Sequence, residues 1–354
     1  MNLKKFAFYL IAAGVLISGL FSCTPKPDSS ANPNVSYYRS LLFSETPWDL
    51  ERGVYPLTEE EAKSVNNYKF TLDDQKRLVS VEYNRNGVLL DYSALGAAKI
   101  TYSYQDSLQL KHFFNQDGEP IERDGAFTFE FIQNKEGMRT ALRFLDKEGN
   151  PVENRNKIYN WVWNKLPDGM IRELRYNLAG DSVVMNAFCP FFELRFSYNE
   201  KGHLTRMANF DNDTLYNCTA ENCGDIGVSY FQFVNNEAGD VLEFSVHNTT
   251  GRYSNLYWGW AKRVNKVDAN GYVIETAMFD QDNEYQGGKN VPVTQTEYNQ
   301  HGAAIRRTNM DTSRQVINSP GDGVAYTEFS YDEQGRRTGT LRFDKDKVKI
   351  EDKK

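Results

Sequence analysis

From residue 68 to residue 345, apolar and polar residues alternate in short runs, each closed by a turn signal. Residues 328–345, EFSYDEQGRRTGTLRFDK, show the unit as two alternating stretches hinged on DEQG. Alternation with period two marks a strand with one buried face. Asp or Asn ahead of Gly is the local chemistry of a tight hairpin, because the side chain bonds the backbone ahead and Gly supplies positive φ. The hinge position of Gly335 recurs as Gly302, Gly271, Gly239, Gly202, Gly169 and Gly137, with Ser107 and Gln75 in the two earliest copies. The spacings run from 30 to 33 residues, except for one of 37. Hinges at so narrow a period form a tandem repeat, here of nine units.

A second column fixes the register. An Asp or Asn stands eight or nine residues beyond every hinge: Asn84, Asn115, Asp146, Asn177, Asp211, Asn248, Asp280, Asp311 and Asp344. On the incoming side, Phe129 and Phe131, Trp161 and Trp163, Leu194 and Phe196, and Phe231 and Phe233 each lie two apart. The unit therefore reads strand, turn, strand, turn, then a variable connection. The fold expected is all-β, an open, elongated array of tandem antiparallel hairpins with a period of about 32 over residues 68–345. Stacked in one direction, with neighbouring strands about 4.8 Å apart, it would extend roughly 90 Å.

The ends differ. Residues 41–67 fall outside the repeat and read as a cap. Thr58-Glu59-Glu60-Glu61 is a capping box that predicts a short helix over about 59–65, covering the open edge of the first repeat. Residues 346–354 are dominated by charge and are expected to blunt the last edge and fray. Residues 1–22 carry Lys4, Lys5 and an apolar run of 16 over residues 6–21, marginal for a membrane span and suited to an export signal. Residues 23–40 include TPKPDSSANPN, have no apolar periodicity and read as a tether.

Composition narrows the function. A net charge of −7 with both signs well mixed argues against a nucleic-acid groove. The four histidines, His112, His203, His247 and His301, occupy different columns of the repeat, and no nucleophile motif, metal-binding helix motif or phosphate loop appears. The Asp/Asn column is explained by turns. DQDNE (280–284) and DNDT (211–214) alternate acids but lack the twelve-residue calcium loop. Neither metal nor cofactor is expected, and no enzyme activity.

Two features break the repeat. The long spacing contains DTLYNCTAENCG (213–224); its sulfurs leave three readings open, Cys218–Cys223, Cys189–Cys223 and no bridge. The connection YSNLYWGW (253–260) holds more rings than one strand face needs. Tyr253, Tyr257, Trp258 and Trp260 are the candidate binding patch, with packing between repeats as the alternative.

Three resemblances add to this reading. Leu20-Phe21-Ser22-Cys23 resembles the lipobox of bacterial lipoproteins, which implies cleavage after Ser22 and an acylated Cys23 anchored in the lipid bilayer, in the cell envelope and more specifically the outer membrane, on either face. The aromatic-Asp/Asn-x-x-Gly units resemble YD/RHS-type repeats and related MORN-variant hairpin arrays, which implies a β-rich envelope scaffold and no reaction. Asp106-Ser107-Leu108, Asp181-Ser182-Val183 and Asp213-Thr214-Leu215 resemble the O-glycosylation pattern of exported Bacteroidetes proteins, with Ser107, Ser182 and Thr214 as acceptors. The expected function is a non-catalytic binding or adhesion scaffold that meets an envelope glycan or a protein around residues 214–260. The alternatives are a structural component of an outer-membrane lipoprotein assembly and a carboxylate-dependent glycan-processing enzyme.

Overall fold

The computed structural model describes residues 32–184, 192–216, 228–256, 258–284 and 291–351. Residues 33–354 cluster as one compact unit. Its fold is all-β. Strand β1 (Val35–Leu41) pairs with β2 (Gly53–Leu57), and helix α1 (Glu59–Ser64) follows. The nine hairpins come next. The first two are β3 (Asn67–Leu72) with β4 (Leu78–Arg85), trailed by the two-residue β5 (Val88–Leu89), and β6 (Lys99–Gln105) with β7 (Leu108–Phe114). Then come β8 (Thr128–Gln133) with β9 (Arg139–Leu145) and β10 (Asn160–Lys165) with β11 (Ile171–Tyr176). The fifth and sixth are β12 (Glu193–Tyr198) with β13 (Leu204–Asp211), trailed by β14 (Thr214–Leu215), and β15 (Tyr230–Asn235) with β16 (Val241–His247). The last three are β17 (Lys262–Val267) with β18 (Val273–Phe279), β19 (Val293–Tyr298) with β20 (Ala304–Met310), and β21 (Tyr326–Tyr331) with β22 (Arg337–Phe343).

Each hairpin also pairs with the next, so all strands join one antiparallel sheet that runs from β2 through β1 and β3 to β22. The sheet is open at β2 and β22. The hinge chemistry is the one read from the sequence: Asn199 Oδ1 accepts from the Lys201 and His203 amides at 3.0 Å each, and Gly202 has φ 71°. All seven hinge glycines, Gly137 to Gly335, have positive φ. In the second column Asp146, Asp280 and Asp311 likewise accept backbone amides two and four residues on. In seven hairpins a one-residue bulge lies just beyond the hinge, which deepens the right-handed twist.

That twist curls the array, and it is not a straight stack. The amide of Asn66 donates to the carbonyl of His301 at 2.8 Å, Arg85 reaches the carbonyl of Glu333 at 3.2 Å, and Tyr55 bonds Asp240. The start of the sheet thus lies along the hinges of later units.

Three boundaries are corrected. The strand β1 begins at Val35, inside the span read as tether, because its residues pair with β3 from Val35↔Thr71 to Tyr38↔Tyr68. The capping box forms as expected, Thr58 and Glu61 exchanging side-chain and backbone bonds, but β1 and β2 cover the edge of the first repeat and α1 rests beside them. The tail does not fray at 346: Asp344 closes another Asx turn, and Ile350 donates to the carbonyl of Arg342 at 2.9 Å.

One face of the sheet carries the core, a continuous cluster from Tyr68 to Leu256. Trp161 and Trp163 belong to it, 5% and 1% exposed. Cross-strand ring pairs build it, such as Phe129 edge-on to Phe144 at 4.8 Å. On the opposite face charges pair across strands, as Arg172 with Glu193 (3.2 Å) and Lys99 with Glu82 (2.7 Å).

Candidate functional site

Three places could carry function: the hinges, the aromatic connection, and a segment that enters the inner face. The third was not foreseen. Residues 42–52 leave β1, cross the inner face and return to β2, and their polar groups meet charged residues set among the core rings. Thr46 Oγ1 and Trp163 Nε1 both donate to Glu173 Oε2, at 2.7 and 2.9 Å. Arg139, 3% exposed, donates from Nη1 to the carbonyls of Pro47 and Asp49 at 2.7 Å each. Its Nε and Nη2 donate to Gln109 Oε1 at 2.9 and 2.8 Å, while its guanidinium carbon lies 3.7 Å from the Phe131 ring centroid. Glu51 meets Lys111 and the Tyr102 hydroxyl. Trp48 packs tilted against Tyr198 at 5.7 Å, and Phe43 against Phe233 at 5.2 Å.

Buried charge has a cost unless it is paired and hydrogen-bonded, and here the segment supplies the partners. Burial alone would raise the Glu51 carboxyl; Lys111 and Arg139 beside it hold it down at about 2. Burial lowers Lys111 against the pull of Glu51. Burial raises Glu173 despite Arg175 and the bonds from Thr46 and Trp163. The signal that could have found this plug is a charge in core register: Glu173 pairs opposite Trp163, and Lys111 lies two places from Phe113 on one strand.

The aromatic connection lies between β16 and β17. Trp258 and Trp260 face each other at 4.9 Å, Trp260 packs edge-on to Phe244 at 5.8 Å, and both are half-buried against the core. Trp258 Nε1 donates to the Trp260 carbonyl at 2.8 Å. The half-buried Tyr253 ring sits 5.0 Å from His247, with Lys262 Nζ 5.3 Å from its centroid. Tyr257, Cys23, Cys189, Cys218 and Cys223 lie outside the described residues. Ser107 is exposed in a hinge turn, Ser182 is exposed in a bridge to Tyr176, and Thr214 is exposed at the start of β14.

The histidines have separate structural tasks. His247 Nε2 is 3.0 Å from Ser245 Oγ and Nδ1 is 3.1 Å from the Gly251 carbonyl, but Ser245 is 1% exposed, so substrate cannot reach the pair. His301 Nδ1 donates to the Ser64 carbonyl at 2.6 Å, tying a hinge to α1. His203 lies beside Gly239. His112 pairs with Thr128, and burial lowers its imidazole. Among the described residues no three His, Cys, Asp or Glu side chains group to hold a metal, and no helix is long and apolar enough to cross a membrane.

No family model matches the chain, and no curated protein sequence matches it. Among solved structures, the toxin assembly TcdB2-TccC3-TEV aligns with 91% of this chain at 10% identity and a TM-score of 0.30, and this chain spans 15% of its length. A porin-like protein from Bacteroides uniformis aligns with 86% of this chain and 93% of its own, at 9% identity and a TM-score of 0.22. Likenesses this distant assign neither fold nor function; the chain's β-repeat character rests on its own hairpins.

Proposed function

We propose that this β-repeat protein is a lipid-anchored, non-catalytic binding scaffold of the bacterial envelope, akin to YD/RHS-type and MORN-variant lipoproteins. Acylated Cys23 would hold it in the outer membrane, and an envelope glycan or protein would be its partner. The observation that carries the reading is the Trp258–Trp260 pair: two half-buried indoles 4.9 Å apart in a connection that departs from the repeat. Rigid rings with one face against the core present contact area at low entropic cost.

Cys23→Ser should abolish acylation and release the chain from the membrane fraction; unchanged palmitate labelling refutes the anchor. Trp258→Ala and Trp260→Ala should abolish pull-down of envelope components with circular dichroism unchanged. Retained binding by the folded variants would move the site to the ion-paired outer face, the reading in which the protein is a structural member of a lipoprotein assembly.

A further inference from the structure

The hinges fall into two groups by what lies over them. A side chain at Gly239 would run into Leu42, one at Gly271 into the Tyr55 ring, and one at Gly202 would press on the Arg52 guanidinium. A Cβ at Gly137 or Gly169 would meet nothing within 4 Å. That open space is the floor of a cleft of about 590 Å³ between these two hinges, the Gly202 hinge and the Trp48–Arg52 stretch of the plug. Trp48, Leu50, Met138, Ile171 and Tyr198 wall it. The volume and the mainly apolar walls are those of a small-molecule site.

The charges around it are unbalanced. Arg52, Arg139 and Lys165 line it against one carboxylate, Asp49, in a chain whose net charge is −7. Arg139 is committed to Pro47, Asp49 and Gln109, and Arg52 to the carbonyls of Lys201 and Gly202. Asp49 accepts from Ser44 Oγ at 2.6 Å. Lys165 is exposed, and among the described residues its ammonium has no ion pair or hydrogen-bond partner. We infer that the cleft binds a small molecule with an aromatic body and one anionic group, the body against Trp48, Met138 and Ile171 and the anion at Lys165. This site is separate from the Trp258–Trp260 patch, and its existence does not depend on the function proposed there.

The test is calorimetric titration of the purified full chain with 1-naphthaleneacetate and with its uncharged amide, which share one aromatic body. The expected result is saturable binding of the acetate at one site, and weaker binding of the amide. Lys165→Glu should weaken the acetate by roughly five- to tenfold, the scale of an exposed charge pair lost and reversed, and leave the amide unchanged. Met138→Trp, which fills the cleft, should abolish binding of both; if circular dichroism shows that variant misfolded, Leu50→Trp at the exposed rim replaces it. No saturable binding of the acetate at millimolar concentration overturns the inference. So does acetate binding that ignores Lys165→Glu, or binding that survives a folded cleft-filling variant.

Discussion

The hairpins before Leu256 and those after it have the same turns and the same ladder but different interiors. In the first six, inward positions hold large rings closed over residues 42–52, as Phe131 and Phe144 at 1% exposure each. In the last three, from β17 to β22, the buried residues are small: Ala277, Val293 and Thr308 within the strands, with Ala303, Val324 and Ala325 flanking them. Turn chemistry therefore sets the repeat, while stability depends on what the inner face encloses. In a repeat array the terms are nearly additive between neighbours, so the two regions should respond differently to equivalent changes.

The largest contrast is expected for buried charge. Arg139→Met removes the donors that satisfy two plug carbonyls and Gln109, and should cost about 3–5 kcal/mol in urea unfolding. Arg306→Met, which breaks the more exposed pairs to Glu297 and Glu328, should cost less than about 1 kcal/mol. Equal losses would erase the distinction. Ring deletion sharpens the same point. Trp163→Ala should cost about 3–5 kcal/mol as a core cavity, and Phe329→Ala, half-buried on β21, roughly 1 kcal/mol.

Next come the hinges. Gly137→Ala and Gly271→Ala both force alanine to positive φ, about 1 kcal/mol each. Gly271→Ala also collides with Tyr55, which Asp240 holds in place, so its melting temperature should fall further, by an overpacking cost of roughly 1–3 kcal/mol.

Acid titration gives the subtlest effect. Glu51, held at about 2 in the fold, contributes stability above the unfolded carboxyl value of about 4.3, lost as pH falls through that value toward 2. Burial raises Asp49 and Glu173; each favours the fold more once protonated. Burial also lowers the imidazoles of His112, His203 and His247, and these oppose that gain as pH falls through the unfolded imidazole value of about 6.5. The urea midpoint should drop below about pH 4.3 as Glu51 protonates, and Glu51→Gln should flatten that drop.

The repeat was legible because its chemistry is local: an Asx side chain, a positive-φ glycine and period-two rings are all visible within one unit. The curl and the plug were not. The partners of residues 42–52 lie on strands from β6 to β17, so no window of sequence contains them. Arg139 escaped for a second reason: the extra residue Thr140 at the bulge beyond the Gly137 hinge puts it on the same face as Leu142, against simple alternation. Of the candidate site, the half-buried setting of Trp258 and Trp260 answers to Phe244, a contact between strand and connection that spacing does not encode. Lys165 and the open hinges Gly137 and Gly169 are informative only beside the hinges that Leu42 of the plug and Tyr55 of β2 cover, Gly239 and Gly271.

The central claim is that residues 42–52 and the inner face of the first six hairpins form one cooperative unit. Hydrogen exchange by mass spectrometry on the intact chain and on Arg139→Met tests it. The slowest uptake should lie in residues 128–176 and 193–198 and faster uptake in 326–343. Arg139→Met should speed exchange in 42–52 and in these two stretches together while leaving 326–343 unchanged. Faster exchange confined to 42–52, with 128–176 and 193–198 as protected as before, would contradict the account.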